Sequence, residues 1–285
     1  MKVFQDKVEV ILDALPYIRK FQGAIAVIKY GGSAMTDAAL KRQVARDIAL
    51  LHYIGMKPVV VHGGGKEINS WLDRLGKKAQ FAPNGLRVTD QETMEIAEMV
   101  LGRISKEIVE LLHHHGGARS VSLSGKDAGL LQAEKMQSEY DLGYVGEVVN
   151  VNTGIIVSLL QDGYIPVISS VALGTDGETT YNVNADTAAC KIAQALKAQK
   201  LYIMTDVDGV LDKDKKLIQR IDRKNVDALI EQGVITGGMI PKIKSALEVL
   251  SSGVQSVHII NGKLEHSLLL ETLTSEGIGT MVTLE

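Results

Sequence analysis

The sequence predicts an α/β protein with a mainly parallel central sheet covered by helices on both faces, and three observations predict it. Short β-branched runs alternate with stretches of helical period, glycines and lysines gather where those runs end, and an apolar stripe precedes the first run. The strand runs fall at 25–28, 58–61, 120–123, 165–169, 201–204 and 256–260. The helical stretches fall at 37–54, 66–75, 90–114, 152–161, 185–198 and 241–250. Strand and helix alternating over this length give parallel pairs buried on both sides, a three-layer α/β/α arrangement. Ligands of such sheets sit beyond the carboxyl ends of the strands, so the chemistry is expected there.

The amino-terminal stripe stands apart. Phe4, Val8, Ile11, Leu12, Leu15, Ile18 and Phe21 share one helical face, and Pro16 should kink the helix that carries them. The sheet does not need this helix for its topology. It packs either on its own domain, the simpler expectation, or on another subunit. The tract 174–179, rich in Gly, Thr, Asp and Glu, marks the expected boundary between two lobes.

Composition excludes several classes. The chain is 45% apolar and 23% charged, with 31 basic and 34 acidic residues and a net charge of −3. Such a balance offers no global field for nucleic acid or an anionic membrane. Cys190 is the single cysteine, which rules out an internal disulfide framework and fits a reducing, cytoplasmic setting. Asp6, Glu9 and Asp13 interrupt the apolar residues of the amino terminus, so no secretory signal is expected. No run reaches the roughly eighteen apolar residues that span a bilayer.

Six motifs carry the chemistry. Val27-Ile28-Lys29-Tyr30-Gly31-Gly32 runs a strand into a lysine and two glycines ahead of a helix. His62-Gly63-Gly64-Gly65 places three consecutive glycines before another helix, more than a plain turn needs, which suits an anion cradle of backbone N–H groups. Asn84-Gly85-Leu86-Arg87-Val88-Thr89-Asp90 offers Arg87 as a carboxylate fork and Asp90 as the next helix's N-cap. Tyr181-Asn182-Val183-Asn184-Ala185-Asp186 holds more polar side chains than one cap requires, and Asp186 can orient nearby lysines. Thr205-Asp206-Val207-Asp208-Gly209-Val210 can wrap a base or ribose, and Thr236-Gly237-Gly238-Met239-Ile240-Pro241-Lys242 puts a lysine at a helix start. Neither a dinucleotide fingerprint nor a P-loop occurs. Without a Ser/His or Cys/His set, these strand ends point to phosphoryl transfer, which needs positioning and charge neutralisation more than a covalent nucleophile.

With these motifs in order, the sequence resembles the amino acid kinase family along nearly its whole length. The segments 84–90, 141–148 and 181–186 set it among members that act on an N-acylated amino acid. The resemblance implies the amino acid kinase fold, with an oligomerisation helix at 1–21, an acyl-amino-acid lobe at 22–175 and an ATP lobe at 176–285. It implies ATP-dependent phosphorylation of the side-chain carboxylate of N-acetyl-L-glutamate, with Mg²⁺ held mainly by the nucleotide phosphates. By position, Lys29, Lys242 and Asp186 are catalytic, and Gly64, Gly65, Arg87 and Asn182 bind the acceptor. Gly31, Gly32, Thr205, Asp206, Val207, Gly209, Val210, Gly237 and Met239 bind ATP.

The helix around 15–21 and the carboxyl-terminal residues further resemble the arginine-inhibited branch, which implies a homo-hexamer built as a trimer of dimers. Tyr17, Lys200, His266, Glu271, Gly277 and Gly279 are then the residues expected at the arginine site. The run 261–265 departs from that branch's usual aspartate and arginine. Two rivals stay open: a member acting on glutamate or a carbamate, and a non-catalytic amino-acid sensor, which would have lost Lys29, Lys242 or Asp186. Six residues are assigned bland roles. His113, His114 and His115 splay around a helix end, Cys190 and Trp71 belong to the core, and His62 sits behind the substrate rather than against it.

Overall fold

The computed structural model describes residues 2–83, 85–237 and 239–284. Asn84 and Gly238, both within the motifs above, lie outside the described residues, as do the side chains of Phe4 and Pro241. Elements follow in chain order as α1 Lys2–Phe21, β1 Ile25–Tyr30, α2 Ala38–Tyr53, β2 Lys57–His62, α3 Gly65–Arg74, β3 Gln80–Phe81, β4 Arg87–Val88 and α4 Gln91–Gly116. Next come β5 Ser120–Ser124, β6 Leu131–Lys135, β7 Gly146–Val151, α5 Gly154–Gln161, β8 Ile165–Ser169, β9 Val171–Gly174 and β10 Thr180–Asn182. The carboxyl half holds α6 Ala185–Leu196, β11 Lys200–Thr205, β12 Arg220–Asp222, α7 Val226–Glu231, α8 Met239–Ser251, β13 Ser256–Asn261, α9 Ser267–Leu273 and β14 Thr280–Thr283.

The main sheet has the order β12-β14-β13-β11-β1-β2-β8-β5. All its pairs are parallel except β13 with β14. From β1 the chain passes to β2 on one side and later to β11 on the other, so the carboxyl ends of β1, β2 and β11 border the crevice where ligands of such sheets bind. Both faces are buried, as the apolar runs require. Along β1, Val27 joins one core while Ala26, Ile28 and Tyr30 join the other, and β2 divides Val59 and Val61 from Val60 likewise. Helices α5, α6, α7 and α8 cover the first face, and α2, α3, α4 and α9 the second.

A second sheet, β10-β9-β6-β7, and the hairpin β3-β4 are not signalled in the sequence by period or composition. The 174–179 tract, expected as a lobe boundary, is the turn of the β9–β10 hairpin, closed by Gly174 N–H donating to Thr179 O at 2.6 Å.

The amino-terminal helix runs through Pro16 to Phe21. Its own-domain packing is confined to the end: Phe21 joins the second core, and α1 touches α9. Val8, Ile11, Leu12 and Leu15 are exposed, Ile11 at 66%. Own-domain packing, the simpler expectation, is thus seen at the helix end alone among the described residues.

His62 gives the fold a pH dependence. It is fully buried, with Nδ1 2.9 Å from Gly63 O and Nε2 2.7 Å from Ser105 Oγ, and burial pushes its pKa down to about 4. The ring is thus neutral, Nδ1–H donating to the carbonyl and Nε2 accepting from the serine. Below its ordinary pKa the unfolded chain takes a proton that the folded chain refuses, so stability falls as pH drops from about 6.5 to about 4. This one group accounts for about 3 kcal/mol over that window. Urea midpoints for wild type and His62→Gln should converge toward acid; parallel pH profiles would contradict the assignment.

Candidate active site

The sequence places a lysine, an arginine, two asparagines and an aspartate at ends of strands and starts of helices, and the fold brings them to one cavity of about 310 Å³. Its walls include Lys29 from β1, the Gly63–Gly65 turn after β2, Arg87 from β4, Asn182 from β10 and Asp186 from α6. Each glycine turn leaves room that a side chain would fill. Gly32 has φ +72°, and a Cβ there would lie 2.6 Å from Asp206 Oδ1. At Gly64 a Cβ would collide with Ile104 Cδ1, so the backbone lies directly on α4 and keeps its N–H edge for a ligand.

Asp186 organises the cations. Lys242 Nζ donates to its Oδ2 at 2.6 Å, and Lys29 Nζ stands 3.0 Å from Oδ1, an ion pair without hydrogen-bond alignment. Burial pushes this carboxyl upward, the Lys29 and Lys242 ammonium groups pull it down, and the net shift is downward. Asp186 is therefore an anion at neutral pH and carries one charge against two. The expectation that it would orient both lysines matches this geometry. Capping of α6 falls instead to Asn184, whose Oδ1 accepts from Asp186 N at 2.8 Å and Thr187 N at 3.2 Å.

Arg87 is held as a half-satisfied fork. Its Nη2 donates to Gly65 O at 3.0 Å and its guanidinium lies 4.9 Å from the Phe81 ring centroid. Among the described residues its Nη1 is buried without a partner. A buried guanidinium nitrogen without an acceptor is a place for a carboxylate oxygen. Asn182 Nδ2 donates to Thr89 Oγ1 at 3.2 Å. Asp90 caps α4 through Thr93 N at 2.8 Å, as its position suggested, and also pairs with Lys77.

Of the residues expected at the nucleotide, Gly31 and Gly32 line the same cavity, and the rest lie at the end of β11, in the loop after it and around the start of α8. In the loop after β11, Asp206, Val207 and Asp208 are exposed, and Thr205 Oγ1 donates to Val207 O at 2.9 Å. The Val210 side chain is in the core, and its N–H donates to Thr280 Oγ1 at 2.8 Å, so only its backbone borders the loop. Gly237 has φ +51°, and Met239 opens α8 one turn before Lys242. The side chains Phe81, Leu101, Val145 and Ser170 also line the cavity. No periodic signal marks them in the sequence, since they sit on a two-residue strand, on a helix flank or in connecting loops.

Of the residues expected at an arginine site, Lys200 opens β11, His266 and Glu271 belong to α9 and its cap, and Gly277 and Gly279 precede β14. Lys200 Nζ is 2.9 Å from His258 Nε2 and 4.7 Å from the Phe21 ring centroid, and burial lowers its pKa to about 8. His258 Nδ1 lies 2.6 Å from Glu271 Oε1, and Glu271 Oε2 accepts from Ile278 N at 2.7 Å and Gly279 N at 2.9 Å. A Cβ at Gly277 would stand 2.9 Å from that Oε2. His266 starts α9 with φ 57° and meets buried Asp47 at 2.7 Å. Tyr17 is half-buried one helical turn before Phe21. Glu271 is thus already engaged on both oxygens.

His113, His114 and His115 end α4 at the surface, and among the described residues no acidic, histidine and cysteine group is arranged to hold a metal. Cys190 is buried and Trp71 packs against the second core. Among the described residues no helix is long and apolar enough to cross a membrane.

Two ammonium groups on one carboxylate, set among amide-rich turns at the switch point of a doubly wound sheet, define an enzyme of anion-to-anion group transfer. The model of the amino acid kinase family matches residues 24–261, and the chain belongs to that family. Among curated relatives it is 55% identical to the acetylglutamate kinase of Thermoanaerobacter sp. (strain X514), covering 97% of this chain and 93% of that one. It is 48% identical to the acetylglutamate kinase of Janthinobacterium sp. (strain Marseille), covering 98% and 96%. Among solved structures, N-acetylglutamate synthase from Neisseria gonorrhoeae, complexed with coenzyme A and L-arginine, superposes with a TM-score of 0.85 at 26% identity. That match covers 98% of this chain and 65% of the longer synthase chain. Giardia carbamate kinase shares the fold, with a TM-score of 0.70 at 17% identity, covering 92% and 99%.

Proposed function

We propose that the chain transfers the γ-phosphoryl group of ATP to the side-chain carboxylate of N-acetyl-L-glutamate, giving N-acetyl-L-glutamyl 5-phosphate and ADP. The observation that carries this reading is the Lys29–Asp186–Lys242 cluster sharing one crevice with the unpartnered Nη1 of Arg87. The acetylglutamate kinases at 48–55% identity over nearly full length support the choice of acceptor.

The acceptor carboxylate is ionised at neutral pH, so no general base is needed. The obstacle is the approach of two anions. Gly64 and Gly65 present backbone N–H groups to the acceptor, while Arg87 and Asn182 hold its α-carboxylate end. Lys29 and Lys242 flank the moving phosphoryl group, with Asp186 keeping both in place. ATP enters as its Mg²⁺ complex, the metal held mainly by phosphate oxygens, and lies along residues 205–210 and 234–239. Transfer is direct and in line, with no phosphoenzyme.

In this reading residues 22–175 serve the acceptor and 176–285 the nucleotide, with β10 lending Asn182 to the acceptor side. The exposed stripe of α1 supports interlacing of subunits into a hexamer, and the grouping of Lys200, His258 and Glu271 beside α1 supports arginine as a feedback inhibitor. The enzyme works in the cytoplasm.

An ADP-release assay tests the whole. N-acetylglutamate should be turned over at least about 100-fold faster than free glutamate, because an unpaired ammonium in this site has no acceptor prepared for it. Arginine should inhibit, and deletion of residues 1–21 should reduce both the native mass and the inhibition. Equal turnover of the two acceptors would defeat the substrate assignment, and an unchanged mass and inhibition would defeat the role given to α1.

A further inference from the structure

Two acceptor-binding side chains, Arg87 and Asn182, come from short strands in different sheets, and one residue joins them. Thr89 is fully buried and does not line the cavity. Its Oγ1 receives the hydrogen bond from Asn182 Nδ2 at 3.2 Å and donates to Arg87 O at 3.3 Å. Its backbone is splinted to the segment that also carries Asn182. Thr89 N donates to Leu142 O at 2.9 Å, Tyr144 N to Thr89 O at 2.6 Å, and Asn182 N to Tyr144 O at 2.9 Å. Gly143 is pressed so closely against Thr89 O that a Cβ there would overlap it.

We propose that Thr89 is a positioning residue, whose hydroxyl fixes the orientation of the Asn182 amide relative to the Arg87 fork and thereby sets the affinity for the N-acylated acceptor. The proposal rests on the reading of the acceptor given above. A carboxamide has a donor end and an acceptor end of nearly the same shape, and either can face a ligand if nothing holds it. The nitrogen can only donate, so its bond to Thr89 Oγ1 turns one N–H away from the cavity. Oδ1 and the second N–H are left in a single arrangement for the ligand. An acylated amino acid brings one amide N–H and a carboxylate, a donor and an acceptor that such an arrangement can meet together. Without the hydroxyl the amide turns freely, and part of the population presents the wrong end.

Three variants test this: Thr89→Val, Thr89→Ser and Asn182→Ala, with the Thr89→Val/Asn182→Ala double. Thr89→Val should raise KM for N-acetylglutamate about 10-fold, the size of one lost hydrogen bond. KM for ATP and kcat should stay within about twofold, and Thr89→Ser should recover most of the loss. In the Asn182→Ala background, Thr89→Val should add less than about twofold, because the residue acts through that amide. Selective ¹⁵N-asparagine labelling of the ligand-free protein reads the same contact without substrate. The Asn182 side-chain amide protons should exchange faster in Thr89→Val and not in Thr89→Ser. A full 10-fold effect in both backgrounds, or equal behaviour of the valine and serine variants, would overturn the proposal. If wild type fails to turn over N-acetylglutamate, the substrate reading falls, and the amide exchange alone then decides whether Thr89 holds Asn182.

Discussion

Replacing Lys29 and Lys242 together with methionine is expected to lower kcat by at least about 10⁴-fold, since removing one donor aimed at developing charge typically costs 10²–10³-fold. The geometry makes the pair interdependent. Each ammonium lies within 3.0 Å of Asp186, so the ligand-free cluster already holds like charges together around one anion. Removing one lysine leaves a neutral pair, and removing both leaves a lone partly buried carboxylate facing two incoming anions. That carboxylate would also weaken the fold, because a buried charge without its partner is destabilising. The same double replacement carried on Asp186→Asn separates the two effects: it should fold as wild type does and remain inactive. Steady-state ADP release beside thermal melts supplies the measurement. Retention of kcat within tenfold of wild type in a folded double variant would refute the electrostatic account of the site.

Arg87→Leu is expected to raise KM for N-acetylglutamate by about 30- to 150-fold with kcat little changed. Truncating one partner of a buried, hydrogen-bonded charge pair costs about 2–3 kcal/mol or more, and each 1.4 kcal/mol is tenfold. The guanidinium is preset for this work: Gly65 O takes Nη2, Phe81 backs its face, and Nη1 is left over. Arg87→Lys should recover only part of the loss, since an ammonium offers a point charge and not a planar fork. On the proposed reading the guanidinium holds the acceptor equally in ground and transition states, so its removal belongs in KM. An unchanged acceptor KM with a raised KM for ATP would place Arg87 on the wrong substrate.

Six of the main sheet's eight strands were legible in the sequence because they are apolar on both faces, whereas β12 and β14 at one edge, short and partly polar, were not. The run 165–169 coincides with β8, and the other five predicted runs fall inside observed strands. The small mixed sheet was not, since β6 and β7 carry Glu134, Lys135 and Asn150 and read as loop. Amphipathicity showed that α1 has an apolar face, but period cannot say what covers a face, and among the described residues own-domain packing is seen at the helix end alone. In the site, Lys29, Arg87, Asn182, Asp186 and Lys242 stood out because their residue types exceed what turns and caps need. Thr89 could not stand out. Its partner Asn182 is 93 positions away, and a buried threonine between a strand and a helix cap has many ordinary uses. Asp186 and Asn184 both fit a cap by type, and only the hydrogen bonds assign that task to Asn184.

The stretch between α9 and β14 ties the Glu271 cluster to the loop after β11. Glu271 pins the amides of Ile278 and Gly279, and the very next residue, Thr280, is the one that accepts from Val210 N. A single peptide bond therefore separates the two anchor points. A displacement of the Glu271 carboxylate would pass along the main chain to the residue that holds Val210, which makes the two places mechanical neighbours.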